Sequence, residues 1–394
     1  MARVLMAWEL GANLGHLTRL RPVATALQRR GHTLSFALRD VMGSRAVLPP
    51  GLGRVFQAPL AIHTTPTPAW TMADVLVACG HGHAAGLAGL AAAWQSLIEV
   101  SGCEVLIADH APTALLAARV MGVPAVHIGH GFSVPPRLSP LPVFRDWAPP
   151  PAHHAADVDA QVLSCVNTVL RDAGAAPLDR LCDLFYPERT LLCTWPELDH
   201  YGGLGRSAAD YVGPDGEYAP GAEPDWPGGN GPHVLAYLRR SHPGHVEVLR
   251  ALADCRLPTL CYLPGEGAEP VSAPTLRYSR QPIDFRRALP RCSLLVCHAG
   301  QATVAQALRL GIPVLMLPEH AEQHLIARQV ERSGAGVNAA LQAPPVAYAS
   351  LIEIMVRADG SHAKAARAVA KRHSAFDPAA LTARIVEAAE SVLT

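Results

Sequence analysis

The stretch from Leu294 to Gly336 constrains the fold more than any other part of the chain. An apolar run, Leu294 to Cys297, leads into small turn residues and then into a helical pattern from Ala302 to Leu310. Gly311 stands where a helix can end in the left-handed conformation, and a second apolar run follows it. The pattern predicts a strand, a turn, a helix and a second strand. It places His298 before a helix N-terminus, where backbone N–H groups and the helix dipole favour a phosphate.

A second segment, Leu106 to Ile128, repeats this pattern in the other half of the chain. Asp109 follows a predicted strand, and Gly122 ends the next helix 13 residues later (122 − 109). His298 and Gly311 have the same separation (311 − 298). Such units imply parallel strands joined by right-handed crossovers. The sequence therefore predicts an α/β protein with two similar, doubly wound, Rossmann-like domains.

The composition of one internal segment indicates where these domains join. Residues 214–230 are rich in Gly, Pro, Asp and Glu and poor in apolar side chains, which is typical of a linker. We therefore predict an N-terminal domain over 1–213 and a C-terminal domain over 231–360. The Ala-rich tail, 361–394, is expected to be helical and to return to the N-terminal domain.

The beginning of the chain reads as strand, loop, helix and strand. Strands are predicted at Arg3 to Trp8 and at Thr33 to Leu38, with a helix over Thr18 to Arg30 between them. Pro22 is then expected near the first turn of that helix, where a missing N–H is tolerated. The Pro-rich segment Phe132 to Pro151 is predicted to be irregular.

The charge balance and the apolar runs limit the possible partners. Lys and Arg number 33, as do Asp and Glu, so the formal net charge is zero and nucleic acid is not a predicted partner. The longest apolar stretch, Gly86 to Trp94, is too short to span a bilayer, so no stable membrane insertion is expected. Met1 leads directly into a predicted strand, and no signal peptide is expected.

The nine cysteines are scattered and form no CxxC pair, which is typical of reduced core residues in a cytoplasmic protein. The segment Cys79-Gly-His-Gly-His83 has metal-ligating side chains, but it lacks further ligands at zinc spacing. We therefore predict no metal site. A monomer and a homodimer both remain open.

The motifs of this chain resemble those of nucleotide-sugar glycosyltransferases of the GT-B fold, specifically the family 1 glycosyltransferases and bacterial natural-product (macrolide-type) enzymes. The C-terminal motifs are His298-Ala-Gly-Gln-Ala-Thr303, Gly311-Ile-Pro313, Pro318-Glu-His-Ala-Glu322-Gln323 and Gly334-Ala-Gly336, and the N-terminal motifs are Gly15-His16 and Arg30-Gly31-His32. The resemblance covers nearly the whole chain. It implies two Rossmann-like domains that face each other across a cleft, with the acceptor on the N-terminal domain and the nucleotide sugar on the C-terminal domain.

This resemblance implies sugar transfer from a nucleoside diphosphate sugar (UDP or dTDP) to a small acceptor, with inversion and with no cofactor or obligatory metal. The residues that would bind the sugar donor are His298, Gly300, Gln301, Ala302 and Thr303 at the phosphates, Glu322 and Gln323 at the sugar, Arg239 or Arg240 as an added cation, and Gln281 and Ile283 at the base. These assignments have structural alternatives. His298 could be a buried histidine at a strand end. Glu322 and Gln323 could form a helix-capping pair, and Gln281 to Ile283 could be an ordinary strand-to-helix turn. Ala299 and Ala302 replace glycines that are usual in this turn, and their methyl groups restrict how closely a diphosphate can approach.

His16 is the predicted general base, and Asp109 is predicted to orient it, as in the His–Asp pair of the similar enzymes. His16 opens a helix whose positive end disfavours protonation, and Asp109 stands at the carboxyl end of a strand. Alternatively, His16 could be a loop histidine bonded to backbone, and Asp109 could be the N-cap of the helix that follows it. His110 is a competing candidate for the base.

The acceptor is expected to be small and apolar or aromatic. Its predicted contacts come from the N-terminal domain and are Asn13, Leu14, Trp70, Trp94, Phe132, Phe144 and Trp147. The alternative is that these side chains pack the core.

Two other functions fit the same fold. A nucleotide-sugar epimerase would need carboxylates near the sugar, and the predicted turn has few of them. A non-catalytic auxiliary or binding protein is suggested by the alanines in the phosphate turn. An assay of nucleotide-sugar hydrolysis without acceptor separates these possibilities from a transferase.

Overall fold

In the computed structural model the described residues are 1–11, 14–62, 68–214 and 221–393. They form two compact units. Unit 1 comprises Met1–Asp215 together with Pro378–Thr394, and unit 2 comprises Gly216–Asp377.

Unit 1 is built on a six-stranded sheet in which every neighbouring pair of strands is parallel. Its strands are β1 (Arg3–Trp8), β2 (Thr33–Leu38), β3 (Arg54–Gln57), β4 (Val105–Asp109), β5 (Ala125–Gly129) and β6 (Arg189–Leu192). Their order across the sheet is β3-β2-β1-β4-β5-β6. The order of the strands across the sheet therefore reverses between β1 and β4. Ligands of such sheets bind at the carboxyl ends of the strands at that reversal.

Unit 2 has a second parallel sheet with the same topology. Its strands are β7 (His233–Tyr237), β8 (Thr259–Tyr262), β9 (Leu276–Ser279), β10 (Cys292–Cys297), β11 (Val314–Met316) and β12 (Gly336–Asn338). Their order is β12-β11-β10-β7-β8-β9, so the corresponding reversal lies between β7 and β10. The predicted fold class, α/β with two doubly wound parallel sheets, is confirmed.

Helices connect the strands in both units. They are α1 (Gly15–Arg29), α2 (Val41–Ser44), α3 (Met72–Leu76), α4 (Ala84–Ser101), α5 (Pro112–Met121), α6 (His154–Asp172), α7 (His245–Asp254), α8 (Phe285–Ala288), α9 (Gln301–Arg309), α10 (Ala321–Arg332), α11 (Tyr348–Met355), α12 (Ser361–Arg372) and α13 (Pro378–Ser391). A π-helical segment, Val77–His81, extends α3, and short 3-10 turns occur at Leu181–Phe185, Pro196–Leu198, Ala208–Asp210, Leu289–Arg291 and Ala339–Leu341.

The two units share local backbone geometry as well as strand order. The residue after each predicted strand-end side chain is left-handed, with φ of 51° at His110 and 59° at Ala299. The glycines that end the following helices are also left-handed, with φ of 64° at Gly122 and 72° at Gly311. The equal spacings in the sequence therefore correspond to the same strand–turn–helix geometry in each unit.

The first helix begins earlier than the sequence pattern predicts. The strands Arg3–Trp8 and Thr33–Leu38 are confirmed, but α1 starts at Gly15, because Thr18 N–H already donates to Leu14 O at 3.1 Å. Pro22 is therefore the eighth residue of α1, so the expectation that it lies near the first turn is wrong. His16 lies inside the helix.

The expected tail divides between the two units. α12 packs on α9 in unit 2 through the buried side chains of Ala363, Ala366 and Val369. Only α13 packs against α1 and the sheet of unit 1, where it buries Leu381 and Ile385 and also Val386 and Ala389. The reason is that each helix has its own apolar face, separated by the break before Pro378.

The predicted linker also contributes structure where it is described. Ala222 N–H donates to Pro282 O at 2.7 Å, and Asp284 N–H donates to Ala222 O at 2.9 Å. The described part of the linker, from Gly221 onward, therefore belongs to unit 2, which continues to Asp377, whereas residues 215–220 lie outside the described residues.

Among the described residues, no single helix combines the length and apolar character needed to cross a bilayer, and only the bent pair Met72–His81 and Ala84–Ser101 reaches that measure when taken together. All nine cysteines are free thiols.

Candidate active site

The strand order of unit 1 brings His16 and Asp109 together. Asp109 is the last residue of β4, and it lies beside Trp8, the last residue of β1. His16 is the second residue of α1, the helix that follows β1 in the chain. Both side chains therefore belong to the place where the strand order reverses, at the carboxyl ends of adjacent parallel strands.

Three largely buried polar side chains meet there. His16 Nδ1 lies 2.9 Å from Asp109 Oδ1, and Arg19 Nη1 lies 2.9 Å from both Oδ1 and Oδ2 of Asp109. The side chains of His16, Arg19 and Asp109 are 7%, 5% and 0% exposed. The predicted pairing of His16 with Asp109 is present, and Arg19 is a third member that the sequence reading missed.

The charge state of Asp109 determines the tautomer of His16. Burial opposes ionisation of Asp109, but Arg19 and His16 outweigh that effect and lower its pKa to about 2. An ionised carboxylate only accepts hydrogen bonds. His16 Nδ1 therefore carries the hydrogen that it donates to Asp109, and in the neutral ring Nε2 presents a lone pair.

The Nε2 atom of His16 faces the backbone of Gly11, and one face of the ring packs on Trp8. The imidazole stacks on Trp8 with ring centroids 5.3 Å apart and an interplanar angle of 23°. Gly11 has φ of +84°, and a Cβ atom there would lie 2.8 Å from His16 Nε2 and 3.3 Å from His110 Nδ1. A side chain at position 11 would therefore collide with His16 and crowd His110.

A chain of aromatic rings leads from His16 into the loops of unit 1. His110 lies 5.9 Å from His16, and Phe132 lies 5.8 Å from His110, measured between ring centroids. Phe144 and His200 continue the chain at 5.6 Å and 6.2 Å from Phe132. Of the predicted acceptor contacts, Phe132 and Phe144 are thus connected to His16 through ring contacts.

The other predicted acceptor residues have different environments. Trp70 is half-buried, packs edge-on against His154 at 5.0 Å, and its carbonyl accepts the Phe144 N–H at 2.9 Å. Leu14 is half-buried at the N-terminus of α1, Trp147 is 43% exposed, and Asn13 lies outside the described residues.

The prediction that Trp94 contacts the acceptor is wrong. Its side chain is 0% exposed on the inner face of α4. The apolar helix around it packs against α5 and α6, so this tryptophan fills the core of unit 1 and offers no surface to an acceptor.

A second buried carboxyl lies close by, at the end of β1. Glu9 accepts hydrogen bonds from Thr113 N at 2.9 Å and Thr113 Oγ1 at 2.5 Å, and His81 Nε2 lies 3.2 Å from the same hydroxyl. Burial raises the pKa of Glu9 to about 7, despite the hydrogen bonds from Thr113. Burial also lowers the pKa of His81 to about 4. Glu9 was not singled out from the sequence.

In unit 2 the corresponding position is the turn between β10 and α9. Gly300 is the N-cap of α9, and the helix starts at Gln301, with Thr303 half-buried in its first turn. Ala299 before them is fully buried and left-handed, a conformation that costs a non-glycine residue about 1–2 kcal/mol. The turn therefore has the backbone form that the usual glycine favours, even though an alanine occupies it.

His298 is held by backbone groups on both sides of its ring. Its Nδ1 lies 2.7 Å from Leu317 O, and Arg239 N–H donates to its Nε2 at 2.9 Å. These partners require a neutral ring with the hydrogen on Nδ1, and burial lowers the pKa of His298 in the same sense. In this arrangement His298 joins the ends of β7, β10 and β11.

Glu319 is a further member of this cluster that the sequence reading missed. Arg239 Nη1 lies 3.4 Å from Glu319 Oε2, and Ser241 Oγ lies 3.2 Å from Glu319 Oε1. Arg240 Nη1 donates to Ala268 O at 2.9 Å. Both predicted cations therefore also hold loops of unit 2 in place.

The remaining residues predicted for the sugar donor lie on two turns of the same unit. Gln323 is buried, and its Oε1 accepts the Glu319 N–H at 2.8 Å, while Glu322 is half-buried in the first turn of α10. Gln281 is exposed, and its N–H and carbonyl both lie within hydrogen-bond distance of Ser279 Oγ. Ile283 is buried beside Ala222.

Within residues 1–11, 14–62, 68–214 and 221–393, no three His, Cys, Asp or Glu side chains come together in a group that could hold a metal ion.

A family model described as UDP-glucoronosyl and UDP-glucosyl transferase matches residues 284–347, which include the turn from His298 to Thr303. Among curated proteins, a PGL/p-HBAD biosynthesis glycosyltransferase of Mycobacterium tuberculosis is 24% identical over 364 residues, covering 85% of this chain and 80% of its own. L-demethylnoviosyl transferase of Streptomyces niveus is 26% identical over 414 residues and covers 97% of both chains.

Solved glycosyltransferases have the same fold. The calicheamicin glycosyltransferase CalG4 matches with a TM-score of 0.74 at 19% identity, over 98% of each chain. The glycosyltransferase VinC, solved in complex with dTDP, matches with a TM-score of 0.70 at 18% identity, over 99% of this chain and 100% of its own. The two parallel sheets and these solved structures give the chain the GT-B fold, and the family model and the relatives of similar length support a glycosyltransferase activity.

Proposed function

We propose that the protein transfers a sugar from a UDP- or dTDP-sugar to a hydroxyl group of a small apolar or aromatic acceptor, with inversion at the anomeric carbon. The observation that carries this proposal is the hydrogen bond between His16 and the ionised Asp109. It leaves the Nε2 lone pair of His16 as a base that faces Gly11.

The proposed reaction is a single displacement. His16 Nε2 takes the proton of the acceptor hydroxyl while its oxygen forms a bond to the anomeric carbon. The bond from that carbon to the diphosphate breaks, and the nucleoside diphosphate leaves with the electron pair. Because one nucleophile attacks opposite one leaving group, the anomeric configuration inverts. Asp109 stabilises the imidazolium that forms, as a buried carboxylate bonded to Nδ1 does in other acid–base pairs.

The diphosphate is proposed to bind at the N-terminus of α9, where N–H groups from Gln301 to Thr303 and the Thr303 hydroxyl can receive its negative charge. Gly300 and Ala302 complete that turn. His298 contributes by holding the turn, because both of its ring nitrogens already have backbone partners. This mode of leaving-group stabilisation requires no metal and no cofactor.

The sugar is proposed to contact Glu322 and Gln323, and the base to contact the turn at Gln281 and Ile283. Arg239 and Arg240 add positive charge near the strand ends of β7. The nucleotide assignment is supported by the UDP-sugar family model and by the structural neighbour that holds dTDP.

The acceptor is proposed to lie along the aromatic chain that includes His110, Phe132 and Phe144, with Leu14 and Trp70 at its margin. Flat rings in such a series bind apolar or aromatic molecules well, since they bury a large area in few rotamers. The relatives whose names refer to PGL/p-HBAD biosynthesis and to L-demethylnoviosyl transfer are consistent with a small-molecule acceptor.

The test compares His16→Ala, His110→Ala and, as a matched control, His83→Ala, an exposed histidine before α4. Turnover is measured with a set of UDP- and dTDP-sugars and phenolic or macrolide acceptors. We expect His16→Ala to lower kcat by about 100-fold or more, the usual contribution of a positioned base. His83→Ala should leave it unchanged.

Two results would contradict the proposed base. Near-full turnover in His16→Ala would exclude His16, and a larger loss in His110→Ala would assign the role to His110. Release of free nucleoside diphosphate only when an acceptor is present would further separate a transferase from an epimerase or a binding protein.

A further inference from the structure

Arg19 shares Asp109 with His16 in a way that the sequence motifs do not indicate. The two residues are three apart on α1, so both side chains lie on one face of the helix. Arg19 Nη1 is equidistant from the two carboxylate oxygens, at 2.9 Å, and His16 Nδ1 bonds only Oδ1. The carboxylate therefore stands between an imidazole and a permanent positive charge.

We propose that Arg19 is a positioning residue that compensates the charge of Asp109 beside His16 and fixes the orientation of the carboxylate that His16 bonds. This inference rests on the proposed role of His16. It concerns a residue that acts through Asp109 and need not touch either substrate.

The electrostatic reason is the sum of charges in a buried cluster. An isolated buried carboxylate beside an imidazole strongly favours the imidazolium, because the proton then compensates the negative charge. Here Arg19 already supplies that compensation, and a proton on His16 would leave the three side chains with a net charge of +1. Arg19 therefore reduces the electrostatic gain that a proton on the imidazole would bring.

Other titratable groups face the same cluster and do not replace Arg19. His110 lies 5.9 Å from His16 by ring centroids. His130, after β5, interacts electrostatically with Asp109. Burial lowers the pKa of His127 on β5 to about 4, and Asp109 and Arg19 act on it in opposite directions. None of these imidazoles carries the permanent charge that a guanidinium provides.

Arg19 also fixes the geometry of the pair. Because its nitrogen engages both oxygens, the carboxylate cannot rotate without losing a charged hydrogen bond. Oδ1 is thereby held towards His16 Nδ1, and the Nε2 lone pair keeps one direction. Lysine could supply the charge but not the planar guanidinium geometry.

The main experiment measures kcat/KM from pH 5 to 9 for the wild type, Arg19→Gln and Arg19→Lys, with the same substrates. We expect the acid limb of the profile to move up by about one pH unit or more in Arg19→Gln, since His16 then faces an uncompensated carboxylate. The limb of Arg19→Lys should stay close to that of the wild type, although its plateau rate falls because orientation is impaired.

Arg19→Gln leaves the buried charge of Asp109 without its partner, so this variant could fold poorly. A second pair of variants therefore tests the same effect without an unpaired buried carboxylate. Asp109→Asn retains an oxygen that accepts from Arg19, and Arg19→Gln/Asp109→Asn removes both charges. If Arg19 acts through its charge, the acid limb of the double variant lies above that of Asp109→Asn by about one pH unit or more.

Coincident acid limbs in both comparisons would overturn the inference and leave Arg19 with a purely structural role. His16→Ala distinguishes this outcome from a failure of the proposed function. If His16→Ala is inactive while the limbs coincide, only the role of Arg19 is wrong. If His16→Ala remains active, the base itself has been misassigned.

Discussion

Two buried carboxyl groups at the same edge of one sheet have opposite protonation behaviour. Asp109 has a pKa of about 2, because Arg19 and His16 outweigh the effect of its burial. Glu9 has a pKa raised to about 7, because the loss of hydration outweighs the hydrogen bonds from Thr113 and the weaker effect of the Arg39 charge. The charge of the neighbours, and not burial alone, therefore decides which carboxylate is available to orient a base.

The raised pKa of Glu9 predicts that stability falls with increasing pH. The folded protein binds this proton more tightly than the unfolded chain, so the contribution is fully present below about pH 4.5 and is lost as the pH rises through about 7. We expect Glu9→Gln to remove the loss. The stability of Glu9→Gln relative to wild type should therefore be greater at pH 8 than at pH 5 by about 2–3 kcal/mol.

Urea unfolding at the two pH values, followed by tryptophan fluorescence, measures this difference. Five of the six tryptophans belong to unit 1, so the signal reports mainly on the unit that contains Glu9. Glu387→Gln, on the exposed face of α13, is the control and should show a difference below about 0.5 kcal/mol. If the relative stability of Glu9→Gln changes between pH 5 and pH 8 by no more than that of the control, the pKa of Glu9 is not raised and Glu9 is ionised in the folded protein at neutral pH.

At the scale of secondary-structure elements, the sequence predicts most of what positions the candidate site. Alternating strand and helix patterns with equal spacing indicate the two parallel sheets, and the strand-end position of Asp109 predicts its contact with His16. Arg19 was missed because the predicted helix started at Thr18, so His16 stood before it and the three-residue spacing on one helical face was not evident. Glu9 was missed because its partner Thr113 is 104 residues away, a contact that local patterns cannot indicate.

The turn between β1 and α1 offers a direct test of the region beside the base. In Gly11→Ala the new Cβ would lie 2.8 Å from His16 Nε2, closer than nonbonded atoms allow, and φ of +84° is strained for alanine. We expect kcat/KM to fall by tenfold or more, because His16 must rotate or the acceptor hydroxyl loses its place. Binding of UDP or dTDP, measured by calorimetry, should not change.

Gly89→Ala on α4 is the matched control for this substitution. It introduces the same methyl group on an exposed helix position with no atom within 4 Å, where alanine is slightly stabilising. Wild-type kcat/KM in Gly11→Ala would mean that the region beside Nε2 is not where the acceptor reacts.

At the scale of the whole molecule, the two units repeat one topology but present different chemistry at the equivalent place. Unit 1 has a buried acid–base cluster of His16, Arg19 and Asp109, with aromatic rings beside it. Unit 2 has a helix N-terminus with a hydroxyl at Thr303 and a histidine locked between backbone groups. The first arrangement suits proton removal, and the second suits an anion. The same sheet order thus supports a division of labour between acceptor activation and nucleotide binding.

This division predicts that nucleotide affinity and turnover respond to different substitutions. Thr303→Val removes one hydroxyl without changing the size of the side chain, and Thr303→Ser keeps the hydroxyl as its control. We expect Thr303→Val to weaken the binding of UDP or dTDP by about 10- to 150-fold, the equivalent of 1.5–3 kcal/mol for a hydrogen bond to a charged group. Thr303→Ser and His16→Ala should bind as the wild type does in calorimetry.

Substitutions at the sugar-binding pair extend the same test. Glu322→Ala and Gln323→Ala should impair the use of nucleotide sugars while free nucleoside diphosphate still binds, because these side chains are assigned to the sugar and not to the phosphates. Gln323→Ala also removes the acceptor for the Glu319 N–H, so its folded fraction must be checked by circular dichroism. An equal loss of affinity for nucleotide and nucleotide sugar would mean that the start of α10 supports the phosphate turn as a whole. A loss of nucleotide binding in His16→Ala would place part of the nucleotide site in unit 1, contrary to the division that the two strand-end clusters suggest.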